Sequence, residues 1–304
     1  MRLAKVLGAV GRSCITLGTL LLLFVAYQLW GTGIREAQAQ NRLGNEFEEI
    51  LEEAATTTTL PGEPATVGTI APAPEGDPTA QIRIPRIGVD KTVVEGVAVA
   101  DLKKGPGHYP ESPLPGQEGN AAIAGHRTTY GAPFNRIDEL KAGDEIFVQT
   151  VQGEFRYIVR DTADEDGRIL EDGQGDGDGH MIVSPTQVEV LEDKGDNRLT
   201  LTACHPKYSA RQRIVVVAEL GPNQTALAAQ VSDTPPAIDD IDGEGAPALP
   251  AILLGLLCAA IWFLAWALGR QWRKWPAYFV CLPFFTVSLF YFFEEFSRLL
   301  PSNF

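Results

Sequence analysis

Residues 198–220 have the sequence RLTLTACHPKYSARQRIVVVAEL, in which two runs of Val, Leu, Ile and Thr flank a short polar segment. This pattern is typical of two β-strands joined by a loop. Because proline has no backbone N–H for a central strand, Pro206 places the end of the first strand close after Cys204. A chain that leaves one strand at residue 204 and enters the next at residue 213 can bring Cys204 and Arg213 to the same end of a sheet.

The same pattern continues on the N-terminal side as far as residue 81. Short apolar runs separated by turn residues include IRIPRIGVDKTVVEGV, NAAIAG, EIFVQTV and EFRYIVRD, and no long helical period appears among them. Several short strands at such spacing are typical of a small barrel or sandwich. We therefore predict that residues 81–220 form one all-β domain.

The 304-residue chain has a net charge of −14, and this charge is unevenly distributed. Residues 31–247 hold all but two of the 39 acidic residues and all but seven of the 25 basic residues. Nucleic-acid binding requires Lys and Arg to neutralise phosphates, so a segment this acidic repels a phosphate backbone. We therefore exclude a nucleic-acid partner.

The N-terminal segment predicts attachment to a membrane. Residues 13–30 carry no charge and are long enough to cross a bilayer as a helix. Basic residues precede this run, so the positive-inside rule keeps the N-terminus in the cytoplasm. We favour a cytoplasmic tail and uncleaved anchor over residues 1–32. A cleaved signal peptide is the alternative, with Ala37-Gln38-Ala39 as its cleavage site.

The C-terminal region, residues 247–304, contains two further apolar runs, 247–268 and 276–293. The basic segment RQWRK (270–274) lies between them and is placed in the cytoplasm if the second run enters the membrane from outside. Both ends of the chain thus predict a multi-pass protein of the cell membrane whose residues 31–247 are extracytoplasmic. The aromatic-rich third run can alternatively be re-entrant or interfacial.

Two segments connect the predicted β domain to the membrane. The first, residues 33–80, begins with a helical stripe of apolar side chains and ends in the Pro/Thr-rich linker TTTTLPGEP…APAPEGDP. The stripe can pack on the domain or on a partner, but we interpret it as a stalk. The second, residues 221–246, is interpreted as an acidic linker. The stripe comprises Leu43, Phe47, Ile50, Leu51 and Ala54.

Cysteine usage provides the first chemical clue. Cys14, Cys258 and Cys281 lie in the apolar segments, so Cys204 is the one cysteine of the predicted extracytoplasmic part. An unpaired thiol outside the cell risks oxidation and is usually avoided unless it is used. Cys204 is therefore a candidate nucleophile, with a buried, inert cysteine as the alternative.

His126 is the candidate partner of this thiol, because it follows the apolar run NAAIAG and thus lies at a strand end. A cysteine nucleophile needs a histidine to protonate a leaving amine and to deprotonate the second nucleophile. An arginine such as Arg213 can stabilise the oxyanion of a tetrahedral intermediate. His205 is less well placed, since neighbouring residues of an extended chain point in opposite directions. His108 and His180 are interpreted as surface residues.

The stretch TLTACHPKYSARQRIVVVAEL, together with IPRIGVDKTVVEGV and GNAAIAGHRTTYGAPFNRIDELKAGDEIFV, resembles the sortase family of cysteine transpeptidases. The segment CHPKYSARQR is most similar to class E, the housekeeping type of high-GC actinobacteria. The resemblance covers residues 81–220 and implies an eight-stranded sortase β-barrel with short helices. It implies Cys204 as nucleophile, His126 as general acid/base and Arg213 as the residue that orients the substrate or stabilises the oxyanion.

The resemblance also implies a reaction. The thiolate cleaves a sorting signal after threonine, forms a thioacyl-enzyme and transfers the protein to a cell-wall amine. The signal is usually Leu-Pro-x-Thr-Gly, whereas class E members favour Leu-Ala-x-Thr-Gly. The expected partners are secreted proteins with a C-terminal sorting signal and a peptidoglycan precursor amine. Residues 184–198 correspond to the loop that shapes signal recognition in the family.

No cofactor is expected. The acidic run EDGQGDGDGH (171–180) leaves a calcium site open, because some sortases bind calcium through acidic loops. An EF-hand loop that begins at Asp172 needs an acidic twelfth residue, but Val183 stands there. We therefore interpret this run as a solvated loop.

Two positions need comparison with the family pattern. The Thr-Leu-x-Thr-Cys signature has Ala203 before the cysteine here, so one hydrogen bond of ~1 kcal/mol is lost if that hydroxyl contacts the substrate. Arg211 and Arg213 project from the same face of a strand, so geometry alone does not separate them. The family pattern places the arginine five residues before the Ala or Gly that closes the strand, and Ala218 fits Arg213.

Two alternative functions remain. A class C pilin polymerase usually carries an N-terminal lid with Asp-Pro followed by an aromatic residue, but Asp77-Pro78 is followed here by Thr79. A catalytically inactive membrane-bound scaffold is the other alternative. The presence of a candidate cysteine, histidine and arginine together argues against the scaffold.

Overall fold

The computed structural model describes the chain in six parts, which are residues 2–57, 73–161, 178–229, 248–271, 274–297 and 299. The chain divides into two compact units. One unit comprises Met1–Gly31 with Asp242–Ser302, and the other comprises Thr32–Ile241 with Asn303–Phe304.

The described residues contain five α-helices and nine β-strands. The helices are α1 (Arg2–Ala26), α2 (Thr32–Thr57), α3 (Val99–Leu102), α4 (Leu249–Gln271) and α5 (Lys274–Ser297). The strands are β1 (Pro78–Ile84), β2 (Val89–Glu95), β3 (Gly107–His108), β4 (Asn120–Ala124), β5 (Glu145–Thr150), β6 (Gly153–Val159), β7 (Met181–Val183), β8 (Arg198–His205) and β9 (Gln212–Leu220).

The first unit is helical and apolar. Within the described residues, three helical stretches are long and apolar enough to cross a membrane. The first, Val10–Thr56, runs from α1 through the π-helical segment Tyr27–Gly31 into α2, and the other two are Leu249–Arg270 and Tyr278–Ser297. The third apolar run, for which the sequence allowed a re-entrant segment as an alternative, forms the continuous helix α5. Cys258 of α4 and Ser288 of α5 are in hydrogen-bond contact, with Sγ and Oγ 3.2 Å apart.

The second unit is built on a closed barrel. Its eight strands are paired in the order β6-β5-β1-β2-β3-β4-β8-β9, and β9 closes the ring by pairing with β6. The ninth strand, β7, pairs with the remaining part of the same edge of β9. The predicted eight-stranded β-barrel is confirmed. Its interior is filled by apolar side chains that alternate along the strands, such as Ile82, Ile123, Leu201 and Val216.

The barrel extends beyond the predicted boundaries at both ends. Strand β1 begins at Pro78, three residues before the predicted start. After β9 the chain stays on the barrel, because Leu227 N donates to Gly116 O at 2.9 Å and Leu227 O accepts from Glu118 N at 2.7 Å. Residues 221–227 are therefore not the linker that composition suggested, and most of that predicted linker, 230–246, lies outside the described residues.

Helix α2 packs on the barrel, so the stalk interpretation is wrong for its first four turns. Leu43 and Phe47 of the predicted stripe are buried, with 0% and 2% of their surface exposed. Ile50, one turn further on, is 37% exposed. The apolar stripe thus contacts the barrel first and leaves it towards the C-terminal end of the helix.

His108 is buried in the barrel wall, which contradicts its assignment to the surface. His180, the other histidine given that assignment, is half-buried. His108 Nδ1 lies 3.0 Å from the carboxylate of Glu95, and the two residues are 2% and 3% exposed. Its Nε2 lies 3.0 Å from Pro113 O and 3.1 Å from Ser112 Oγ.

The Glu95, His108 and Ser112 side chains have the connectivity of a Ser–His–Glu triad, but the serine hydroxyl donates its proton to the backbone and not to the histidine. Ser112 Oγ donates to Tyr109 O at 2.8 Å and accepts from Ala122 N at 3.0 Å. These bonds hold the chain around Tyr109 against β4. The network is therefore structural.

We predict that His108→Ala lowers the free energy of unfolding by about 3 kcal/mol, because it leaves the buried Glu95 carboxylate without its partner. For a unit of this size the loss corresponds to a Tm decrease of about 6–12 °C, measurable by calorimetry of the purified chain. His180→Ala serves as the control, since its partly exposed side chain predicts a change below about 1 kcal/mol. Equal Tm values for the two variants would contradict the stabilising role of the Glu95–His108 pair.

Candidate active site

The three predicted site residues lie at the same end of three neighbouring strands, β4, β8 and β9. Strand β4 runs parallel to β8 with Ala124 opposite Thr202. His126 follows Ala124 by two residues, as Cys204 follows Thr202. Strand β9 runs antiparallel to β8 with Arg213 directly opposite Cys204, and directly opposite residues of such a pair project from the same face.

Side chains along β8 alternate between the two faces of the barrel wall. Leu201 and Ala203 pack in the core, whereas Cys204 projects from the opposite face and is partly exposed. Because the side chain of Ala203 is only 4% exposed and points into the core, its missing hydroxyl removes no substrate contact. The condition for losing a substrate hydrogen bond at this position, a hydroxyl that contacts the substrate, is therefore not met.

The thiol of Cys204 experiences two opposing effects. Burial raises the pKa of Cys204 above its ordinary value, while the guanidinium groups of Arg213 and Arg127 oppose this increase. At neutral pH the side chain is therefore a thiol, and the two nearby positive charges favour its thiolate when the proton is removed.

His126 lies in a buried position at the end of β4, with 6% of its surface exposed. Burial lowers the pKa of His126 to about 4, and the positive charge of Lys103 acts in the same direction. The ring of Tyr130 lies beside it, with the two ring centroids 5.2 Å apart. His126 is thus a neutral imidazole at neutral pH, able to accept a proton.

The structure distinguishes Arg213 from Arg211 as the site arginine. Arg213 lies within β9 and its Nη1 donates to Ala210 O at 3.1 Å and to Gln212 O at 3.2 Å. Arg211 precedes the strand and is exposed. Of the two, Arg213 is opposite Cys204 in register.

Arg127 is a site residue that the sequence reasoning missed. Arg127 is 4% exposed, and its guanidinium pairs with Asp138 at 2.9 Å. One nitrogen, Nη1, lies 3.3 Å from Cys204 O and 3.1 Å from His205 Nδ1. His205 therefore points to Arg127, on the other side of the strand from the thiol. The only sequence signal for Arg127 was its position directly after His126.

Tyr109 is a second missed residue. Its hydroxyl lies 3.1 Å from Thr202 Oγ1. Burial raises the pKa of Tyr109, while the hydrogen bond to Thr202 and the charge of Arg213 oppose this increase. Its hydroxyl is thus a neutral hydrogen-bonding group beside the thiol.

The two predicted loops differ in what the structure describes. In residues 184–198, the 3-10 helix Val188–Leu191 is attached to β4, because Asn120 Nδ2 donates to Val190 O at 3.0 Å. The acidic run 171–180 lies mostly outside the described residues. Its described residue Asp178 pairs with Lys141 at 2.8 Å. The described part of the chain contains no group of three His, Cys, Asp or Glu side chains placed to hold a metal ion.

The barrel domain is similar to known proteins. The profile of the sortase domain matches residues 82–221. Sortase E from Streptomyces avermitilis, a solved structure, is 31% identical over 56% of this chain and 99% of that chain, with a TM-score of 0.39. The chain belongs to the sortase family.

This sortase is also 33% identical over 226 residues to sortase SrtE1 of Streptomyces coelicolor, which covers 68% of this chain and 55% of the relative. It thus spans about half the length of that curated relative. A sortase D5 transpeptidase from Clostridium perfringens is 26% identical over 60% of this chain and 99% of that chain, with a TM-score of 0.46. The resemblance to class E agrees with the similarity to sortase SrtE1.

We predict that Arg127→Gln raises the pKa of Cys204 further, because one of the two charges that favour the thiolate is lost. At a fixed pH below that value, the thiol should then react more slowly with iodoacetamide. The measurement is the alkylation rate of the peptide containing Cys204 against pH, followed by mass spectrometry. Arg136→Gln, which removes an exposed arginine paired with Glu139, should leave the profile unchanged. A profile for Arg127→Gln that matches this control contradicts the assignment.

Proposed function

We propose that this sortase is a membrane-attached cysteine transpeptidase that cleaves a Leu-Ala-x-Thr-Gly or Leu-Pro-x-Thr-Gly sorting signal after threonine. It joins the protein that carries the signal to a cell-wall amine. The observation that carries this proposal is the pairing of Cys204 with Arg213 in register, with His126 at the end of the adjoining strand β4.

In the first half-reaction, Cys204 Sγ transfers its proton to the imidazole of His126 and attacks the carbonyl carbon of the threonine. The guanidinium of Arg213 stabilises the negative charge that develops on the carbonyl oxygen. The imidazolium then donates its proton to the glycine nitrogen, and the C–N bond breaks. A thioester between threonine and Cys204 remains.

In the second half-reaction, a primary amine of a wall precursor attacks the thioester. His126 accepts a proton from this amine, and the carbon–sulfur bond breaks as the new amide forms. The thiolate then recovers its proton from the imidazolium. The site returns to the thiol and neutral imidazole that burial favours at neutral pH.

Housekeeping anchoring is better supported than pilus assembly. Pro78 pairs with Val94 in the barrel, and Thr79 is only 6% exposed. Pro78 begins β1, and Asp77 O accepts from Glu95 N at 2.8 Å. The Asp77-Pro78 sequence is therefore held against β2 and is unavailable for a lid over the site. A non-catalytic scaffold has no use for a buried histidine and a partly exposed thiol on adjacent strands.

We predict that the full chain in detergent cleaves both signal peptides after threonine, with the alanine signal preferred, and forms an adduct on Cys204. Arg213→Lys should lower kcat/KM at least about 100-fold, because lysine lacks the guanidinium fork that binds the oxyanion. Arg211→Lys is the matched control and should retain activity. Mass spectrometry of products and adduct checks both variants, and Cys204→Ala should give neither. Cleavage by Cys204→Ala would sink the nucleophile assignment.

The charge distribution around the apolar runs supports a barrel outside the cytoplasm. To test this side, a cysteine is introduced at the exposed Glu154 in a Cys204→Ala background. A membrane-impermeant maleimide should label Glu154→Cys in intact cells. Labelling that requires lysis of the cells would place the barrel in the cytoplasm and exclude wall anchoring.

A further inference from the structure

The face of α2 that lies against the barrel changes character along the helix. Its middle part buries Leu43 and Phe47, the contacts expected of the apolar face of an amphipathic helix. Its N-terminal part buries polar side chains, with Thr32 0% and Glu36 2% exposed. Buried polar groups cost free energy unless they form specific bonds, so the partners of this polar part indicate its role.

Thr32 and Glu36 contact the turn that follows His126. Tyr130 N donates to Thr32 Oγ1 at 3.1 Å. Tyr130 has a φ of 50° and Gly131 a φ of 72°, both in the left-handed region, which is costly for a tyrosine and requires support from its surroundings. A Cβ at Gly131 would lie 2.3 Å from Glu36 Oε2, so the helix and the turn are in close contact.

Glu36 is itself fixed by Lys91 of β2, whose Nζ lies 2.6 Å from Glu36 Oε1. Gln40, one turn further along the helix, forms hydrogen bonds with the same strand. Its Oε1 accepts from Thr92 N at 2.8 Å, and its Nε2 donates to Thr92 O and to Lys104 O, both at 2.9 Å. The side-chain amide thus pairs with the backbone of β2 as a neighbouring strand would.

These contacts reach His126 from two sides. Thr32 binds the backbone N–H of Tyr130, and the centroid of the Tyr130 ring lies 5.2 Å from that of the His126 ring. Lys103, the residue before the carbonyl that Gln40 binds, lies with its Nζ 5.6 Å from the Tyr130 ring centroid and acts electrostatically on His126. The polar part of α2 therefore holds the groups that surround the imidazole.

We propose that α2 is a positioning element of the catalytic site, in which Thr32 and Glu36 hold the Tyr130–Gly131 turn and thereby the burial and orientation of His126. Neither residue touches the reacting atoms in this proposal. Their effect on turnover rests on the proposed transpeptidase function, whereas their effect on the His126 ring does not. In sequence, Thr32 directly follows the π-helical segment Tyr27–Gly31, which connects α1 to α2.

The test uses the full chain in detergent, with histidines labelled at Cε1 and followed by NMR against pH. Thr32→Val removes the hydroxyl that accepts from Tyr130 N and keeps the side-chain shape, whereas Thr32→Ser keeps the hydroxyl. With a looser turn, water reaches the imidazole and the burial that lowers its pKa is reduced. The midpoint of His126 should therefore rise by about half a unit or more in Thr32→Val, and should stay near that of the unmodified chain in Thr32→Ser.

Glu36→Gln provides a second variant if Thr32→Val does not fold. Its matched control is Glu49→Gln, which removes the same charge from an exposed position of the same helix. Glu36→Gln should shift the His126 midpoint upward and Glu49→Gln should not. Midpoints for Thr32→Val or Glu36→Gln that match those of the controls overturn the proposal, as does an equal shift in Thr32→Val and Thr32→Ser.

Turnover of the signal peptides is the second readout. In Thr32→Val, kcat should fall about 5–10-fold with KM unchanged, because the histidine is displaced while the faces of β8 and β9 that meet the peptide are intact. A change in KM with constant kcat contradicts positioning of His126. If the unmodified chain cleaves neither peptide, the proposed function fails, but the NMR midpoints still decide whether α2 positions the histidine.

Discussion

The register of β8 between its two neighbours is the constraint on which the site depends. Strand β4 fixes it from one side in parallel pairing and β9 from the other in antiparallel pairing. A slip of one residue would turn Cys204 into the core and expose Ala203, because strand side chains alternate with a period of two. The apolar core contacts of Leu199, Leu201 and Ala203 therefore position the nucleophile, although none of these residues takes part in chemistry.

The burial that lowers the pKa of His126 also protects the site. A cysteine outside the cytoplasm meets oxidants, and oxidation proceeds through the thiolate. Because burial also raises the pKa of Cys204, the resting side chain is a thiol and reacts slowly with such agents. Arg213 and Arg127 favour the thiolate without producing it in the resting state. An unpaired cysteine is thus compatible with the predicted location.

Much of this arrangement could be predicted from sequence because its signals are local. Alternating Leu, Thr and Ala residues before Cys204, and the proline after His205, place the thiol at a strand end. The motifs around His126 and Arg213 then indicated the family and the eight-stranded barrel. The assignments that failed depend on contacts between distant segments. His108 meets Glu95 through the parallel pairing of β2 and β3, which composition does not reveal.

The same limit applies to α2 and to Arg127. Thr32 and Glu36 are buried but polar, so they do not contribute to an apolar helical pattern. That pattern indicated only the middle of α2, where Leu43 and Phe47 pack. The role of the polar part depends on a turn about a hundred residues away. Ala203 is different, since alternation along β8 already places it on the core side. A hydroxyl at that position would likewise lie on the core side of the strand.

Strand β9 is shared along one edge by the end of β6 and by β7, with Val159 opposite Ala218 and Val183 opposite Arg213. The connection between β6 and β7, residues 160–180, therefore starts and finishes beside the same strand, β9. Lengthening such a connection costs only ~0.6 kcal/mol for each doubling. Evolution can therefore enlarge or replace this segment, even with a folded module, while the barrel geometry that holds the thiol and the guanidinium stays the same.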